Sequence, residues 1–202
     1  MDFDTHPSLF QRLREGENDA SWREFDERYR DLILRYCRTR GLQPDDAEDV
    51  RQMVMIGFAH ALKNFQYDPA RGRFRNYLGR CVAHAIRRRA QARHVGTEKL
   101  VGEFAAAIEA TANNELDAEW EREWMDHHYR LAMRTVRETF EPLSLEVFES
   151  LLAGSTVEEA SAKFSLSTQA VHKIKQRVRN RLRELIEVQV ALEDGVHEPP
   201  GN

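Results

Sequence analysis

The side chains of this chain that are best suited to chemistry are cations gathered in two stretches. Residues 69–97 hold eight arginines and no acid, and residues 163–183 hold seven cations and no acid. Between them, residues 98–127 carry nine acids against two cations. The whole chain has a formal net charge of -4, so these basic stretches are local features. Two basic surfaces joined by an acidic connector indicate a protein that holds one polyanion, most simply a nucleic acid, at two places.

The first basic stretch is interleaved with aromatic side chains, namely Phe65, Tyr67, Phe74 and Tyr77, and with His84. Rings and guanidinium planes stack on unpaired bases while other charges follow the backbone, so this composition favours capture of an opened strand. Stacking contributes roughly 1–3 kcal/mol per base, which is comparable to the cost of extruding one base. The competing interpretation is that Phe65, Phe74 and Tyr77 form a core. The sequence favours a core role for Phe65 and a binding role for Tyr67 and the neighbouring arginines.

The second basic stretch lies in a segment, residues 156–185, with the layout of a helix-turn-helix. Ser155 or Thr156 is predicted to cap a short helix, a turn follows at residues 165–167, and Ser167 is predicted to cap a longer helix. One face of the longer helix is apolar, and the other carries Gln, Lys and Arg, which can donate to base edges and hold phosphates. The alternative is an ordinary helical hairpin with a solvated basic face.

Helices are predicted almost throughout the chain, because apolar residues recur at three- and four-residue steps and no segment alternates like a strand. The predicted fold class is all-α, with two small helical domains joined by a flexible acidic linker. No apolar run approaches the ~20 residues of a membrane span, and the polar N-terminus is no signal peptide. Two cysteines make neither a disulfide framework nor a zinc site, which favours a reducing cytoplasm.

Enzyme signatures are missing from the sequence. It contains no phosphate-binding glycine loop and no metal-ligand spacing, and the adjacent His127 and His128 point two ways on a helix. We therefore expect no catalytic residue, no metal and no cofactor. A DNA-acting enzyme such as a recombinase would need carboxylates or a nucleophile beside the arginines, and residues 69–97 hold no acid.

Several segments, in order, resemble bacterial RNA polymerase sigma factors of the extracytoplasmic-function (ECF) type. The segments FQRLR (10–14), ILRYCR (33–38), DAEDVRQ (46–52) and YDPARGRFRNYL (67–78) resemble region 2. The segments SLSTQAV (165–171) and RVRNRLR (177–183) resemble region 4, and WEREW (120–124) resembles the branch abundant in planctomycetes. The resemblance implies a factor that binds core RNA polymerase and promoter DNA. Many relatives are also held by an anti-sigma factor.

The resemblance also implies a role for each part of the chain. Residues 1–95 would be the region 2 domain, 96–115 the linker, 116–192 the region 4 domain and 193–202 a disordered tail. Polymerase would be bound by Asp46, Asp49, Gln52, Met53 and Ile56. The -10 element would be bound by Tyr67, Arg71, Arg73, Arg75, Asn76, Tyr77, Arg80, His84, Arg87 and Arg88. The -35 element would be bound by Ser167, Thr168, Gln169, His172, Lys173, Lys175, Gln176, Arg177 and Arg179.

Three positions depart from the family pattern. Met53 stands where an acid is usual, Tyr77 replaces a usual Trp, and Ser165 replaces a usual turn glycine, which requires a left-handed or adjusted turn at some cost. The alternative function is a stand-alone helix-turn-helix regulator that does not bind polymerase. Neither function predicts a membrane or a small-molecule substrate as partner. A further hypothesis is that the acidic connector folds back and masks one of the basic surfaces in the free protein.

Overall fold

The computed structural model describes residue 13 and residues 19–62, 74–91 and 118–193. Within these ranges the chain forms seven α-helices and no strand, which confirms the predicted all-α class. The helices are α1 (Asp19–Thr39), α2 (Pro44–Leu62), α3 (Phe74–Gln91), α4 (Ala118–Thr139), α5 (Pro142–Leu152), α6 (Val157–Phe164) and α7 (Thr168–Glu193). The predicted loop with Tyr67, Arg71 and Arg73, the linker and nearly all of the predicted tail lie outside the described residues.

The chain divides into two compact units. The first comprises Met1–Met125 together with Ala191–Asn202, and the second comprises Asp126–Val190. The division therefore falls inside α4, after Met125, whereas the predicted region 4 domain begins at residue 116. The functional boundary at residue 116 stays a prediction, but the aromatic start of α4 belongs to the core of the first unit.

The first unit is built on aromatic rings from four helices. Phe25 of α1 stacks on Phe58 of α2 with ring centroids 4.8 Å apart, and Tyr29 lies 5.4 Å from Phe74 of α3. Trp124 of α4 stacks on Tyr29 at 6.2 Å. We call these five residues the aromatic cluster; all of them are buried. The three-to-four spacing that makes α1 amphipathic thus directs its rings into one core.

The two tryptophans of α4 are part of this first core. Trp120 contacts Tyr36, and its buried indole N–H donates to the backbone oxygen of Arg75 at 3.0 Å. A buried indole requires such a partner, so the sequence WEREW is positioned by both packing and hydrogen bonding. The end of α7 also joins this unit, because the Tyr29 hydroxyl donates to Glu193 Oε1 at 2.6 Å.

The second unit contains the rest of α4, with α5, α6 and most of α7. Its larger core comprises Ala132, Met133, Val136, Phe148, Val178 and Leu182. A smaller cluster of Val147, Ala160 and Val171 joins α5, α6 and the start of α7. His128 is fully buried, and its Nδ1 lies 3.0 Å from Gln189 Oε1. The histidine pair is therefore part of the packing of this unit.

We expect Trp124→Ala to lower the free energy of unfolding of the full chain by about 3–5 kcal/mol, as buried Trp-to-Ala changes do. The substitution removes a ring that contacts both Tyr29 and Phe74. Chemical denaturation followed by far-UV circular dichroism measures the loss. Met125→Ala is the control, because Met125 is the next residue and is 51% exposed. Equal stability of the two variants would contradict a core role for Trp124.

Candidate nucleic-acid interface

The helix α6 begins with a complete capping box. The Thr156 hydroxyl accepts from the backbone N–H of Glu159 at 3.1 Å, and the Glu159 carboxylate accepts from the backbone N–H of Thr156 at 2.8 Å. Of the two candidates that the sequence left open, Ser155 and Thr156, the structure selects Thr156. Such a cap contributes about 0.5–2 kcal/mol, and it fixes where the helix-turn-helix begins.

The turn between α6 and α7 is left-handed at Ser165, with φ 53° and ψ 40°. The sequence analysis required a left-handed or adjusted turn at this position, and the structure contains the left-handed one. Hydrogen bonds hold the turn: the Ser161 hydroxyl donates to the Leu166 carbonyl at 2.6 Å, and the Ser167 hydroxyl accepts from the Ala170 N–H at 3.1 Å. These bonds compensate for the missing glycine and set the direction in which α7 starts.

The polar face of α7 is exposed. Val171 and Val178 are buried, and Gln169, Lys173 and Gln176 lie at helical spacing on the opposite side. The predicted -35 residues that are exposed are Ser167, Thr168, Gln169, His172, Lys173, Gln176, Arg177 and Arg179. Lys175 is half-buried. Two amides and a cation at the centre of an exposed helix face are chemically suited to base edges.

Arg177 differs from the other residues of this face because it is bound to its own unit. Its guanidinium lies 5.3 Å from the centroid of the Phe140 ring, and Nη2 donates to the Ser144 hydroxyl at 2.9 Å. These contacts join α7 to the start of α5. The sequence assigned Arg177 to DNA alone and missed this packing role.

The predicted -10 residues on α3 are less exposed than those on α7. Arg87 is exposed, whereas Arg75, Asn76, Arg80 and His84 are half-buried and Arg88 is buried. Tyr77, 5% exposed, also belongs to the core; it contacts Phe58 and Phe74, and burial raises the pKa of its phenol. For Phe74 and Tyr77 the structure thus agrees with the core interpretation that the sequence analysis left open.

An acidic segment at the start of α4 pairs with basic residues of the first unit. Glu121 Oε2 lies 3.2 Å from Arg75 Nη1, and Glu119 Oε2 lies 3.5 Å from Arg40 Nε. Arg75 is one of the predicted -10 residues, so one acid of the connector does contact the first basic stretch. The rest of the connector before residue 118 lies outside the described residues, and masking stays a hypothesis.

The predicted docking stripe follows one side of α2. Asp49, Gln52 and Ile56 are exposed, and Asp46 and Met53 are half-buried. Both carboxylates already contact a guanidinium: Arg89 Nη2 donates to Asp46, and Arg89 Nε lies 3.2 Å from Asp49 Oδ2. The sequence analysis did not assign Arg89 a role, although it belongs to the run of three arginines at residues 87–89.

Both cysteines of the chain are buried. Burial raises the pKa of Cys37 and of Cys81 to about 12, so both thiols are protonated at neutral pH. Among the described residues, no three His, Cys, Asp or Glu side chains are grouped so that they could hold a metal ion. No helix in the described ranges has the length and apolar character needed to cross a membrane.

Comparison with known proteins found a family model that matches about a third of the chain. Residues 25–94 match the family model of Sigma-70 region 2. This match includes most of α1 and all of α2 and α3, which carry the docking stripe and the described -10 candidates. No curated protein matches the chain. A solved structure, CnrH in complex with the cytosolic domain of CnrY, is similar over 89% of this chain and 96% of that chain, with 23% identity and a TM-score of 0.36.

Ser165→Gly is expected to raise the free energy of unfolding of the second unit by about 0.5–1 kcal/mol, because glycine adopts the left-handed region without the steric cost of a Cβ. Thermal and chemical denaturation of the full chain measure the change. Ser165→Ala is the matched control, since it removes the hydroxyl but keeps the Cβ. If alanine stabilises as much as glycine, the backbone conformation is not the cause.

Arg177→Ala should lower the free energy of unfolding by about 1 kcal/mol, because it removes a cation–π contact and a hydrogen bond. Arg179→Ala removes an exposed arginine two residues further along α7. It should change the free energy of unfolding by no more than about 0.5 kcal/mol. Denaturant titration compares the two variants. Identical stabilities would contradict a packing role for Arg177.

Proposed function

We propose that this chain is a sigma factor of the ECF type, which binds core RNA polymerase and directs it to promoters. The observation that carries the proposal is the match of residues 25–94 to Sigma-70 region 2, in a chain whose second unit contains a helix-turn-helix. A helix-turn-helix alone would fit many regulators. Its combination with region 2 favours the sigma factor over the stand-alone regulator.

In this proposal the first unit has two roles. The stripe on α2 docks on the polymerase, since exposed carboxylates beside Met53 and Ile56 suit a basic partner with apolar side chains. The basic residues of α3, with Tyr67, Arg71 and Arg73 of the preceding segment, bind and open the -10 element. Arg75 and Arg80 are half-buried, so these side chains rearrange when DNA binds.

The second unit recognises the -35 element through α7. Gln169, Lys173 and Gln176 face the base edges of the major groove, while Lys175 and Arg179 at the sides of this face hold phosphates. The chain supplies binding and orientation, and the polymerase supplies catalysis. The region 4 boundary at residue 116, the planctomycete-type branch, a cytoplasmic location and an anti-sigma partner stay predictions from the resemblance.

Run-off transcription with core polymerase and a library of genomic fragments tests the proposal. We expect discrete start sites that depend on the added protein, with a shared upstream motif. Gln169→Ala should change the preference at one or two positions of the -35 motif by about 1–3 kcal/mol per position. Lys175→Ala should instead weaken binding uniformly across sequences.

Polymerase binding is the discriminating control. The variant with Asp46→Asn and Asp49→Asn should lose association with core polymerase while its helix-turn-helix stays intact. A stand-alone regulator would bind a discrete duplex site without polymerase and form no complex with it. That result, or start sites identical with and without the protein, would overturn the sigma factor proposal.

A further inference from the structure

The two carboxylates of the docking stripe, Asp46 and Asp49, form ion pairs with an arginine of the same unit. Asp46 and Asp49 lie three residues apart on α2, so both side chains reach one site beside the helix. Arg89, in the last turn of α3, places its guanidinium there. Nη2 donates to Asp46 Oδ1, and Nε lies 3.2 Å from Asp49 Oδ2, so one guanidinium contacts both acids.

These three side chains remain accessible to a partner. Arg89 is 38% exposed, Asp46 37% and Asp49 55%. Pairs with this much solvent contact are weak, and each changes an equilibrium by about five-fold at most. An incoming cation can therefore replace Arg89 at small cost.

Glu48, on the same helix, is bound differently. It accepts from Arg51 at 2.6 Å, and Arg51, which is only 16% exposed, also donates to Asp26 of α1. The hydrogen bond from Arg51 lowers the pKa of Glu48. This network joins α1 to α2, so Glu48 is needed for packing. The ion pairs described for Asp46 and Asp49 are with Arg89 alone, which a partner can displace. Asp46 and Asp49 are therefore suited to binding a partner, whereas Glu48 holds the two helices together.

We propose that Arg89 is an internal competitor for the polymerase-docking carboxylates, and that docking displaces it and releases its charge to the DNA-binding helix. The proposal rests on the proposed function and adds a regulatory residue to it. The displacing group is a cation of the partner, and a guanidinium suits the site best because its planar fork can approach two carboxylates at once.

Release of Arg89 would also strengthen the binding of promoter DNA. Arg89 lies on α3 beside Arg87 and Arg88, at the end of the helix proposed to bind the -10 element. While it pairs with Asp46 and Asp49, its charge is neutralised. Once a partner cation takes those acids, α3 gains one free cation, and attraction to phosphates increases. Polymerase binding and DNA binding would thus favour each other through one side chain.

Arg89→Gln in the full chain tests the competition. We expect it to tighten binding to core polymerase by about two- to five-fold, measured by fluorescence anisotropy of labelled protein at low salt. Arg35→Gln is the matched control, because it removes one exposed arginine from α1 and should leave this affinity unchanged. Arg89→Lys, which keeps the charge but loses the fork, should fall between Gln and the unaltered chain.

The background with Asp46→Asn and Asp49→Asn separates the inference from the proposed function. In that background Arg89→Gln should give no gain. If the double change weakens polymerase binding but Arg89→Gln leaves it unchanged or weaker, the competitor role is wrong and the docking role stands. If the double change has no effect, the docking role itself is wrong.

The release step is tested with the assembled complex of polymerase and this protein. For Arg89→Gln, the slope of log binding constant against log salt for promoter DNA should be smaller by about 0.9, the contribution of one phosphate contact. An unaltered slope would overturn the release of Arg89 to DNA even if the competition is observed.

Discussion

The packing of aromatic rings in the first unit is the interaction on which the candidate sites depend. Phe25, Phe58 and Phe74 come from three helices and fix α2 against α3. Because a close-packed interior transmits small displacements, a shift of either helix would separate Arg89 from Asp46. The docking stripe and the basic helix are therefore held in one geometry by residues that belong to neither site.

Local features of this fold could be predicted from sequence because their causes are local. The spacing of apolar residues predicts the helices, and the carboxylate three residues after Thr156 predicts a capping box. The family resemblance places a glycine at position 165, so the serine there implies a left-handed or adjusted turn, and the structure contains a left-handed one. Each of these depends on residues within one or two helical turns, so the pattern contains the information.

Partners distant in sequence could not be predicted in the same way. Periodicity shows which face of a helix is apolar, but it does not show which acid an arginine meets, as the contacts of Arg89 and Arg177 illustrate. Tyr77 was ambiguous for a related reason, since an aromatic residue on a basic amphipathic helix fits either a core or a base-stacking surface. Only the packed structure, with Phe58 beside it, places its ring in the core.

The residues that flank the second unit limit where a chimaeric protein can be joined, because they belong to the core of the first unit. Trp120 and Trp124 before that unit, and Glu193 after it, all complete the core around Tyr29. A chimaera in which all residues after 115 are replaced would lose Trp120 and Trp124 and leave a cavity beside the Tyr29 ring. The transferable block is instead Asp126–Val190, with both junctions inside helices. Recombination that respects these junctions would exchange the helix-turn-helix and leave the core of the first unit intact.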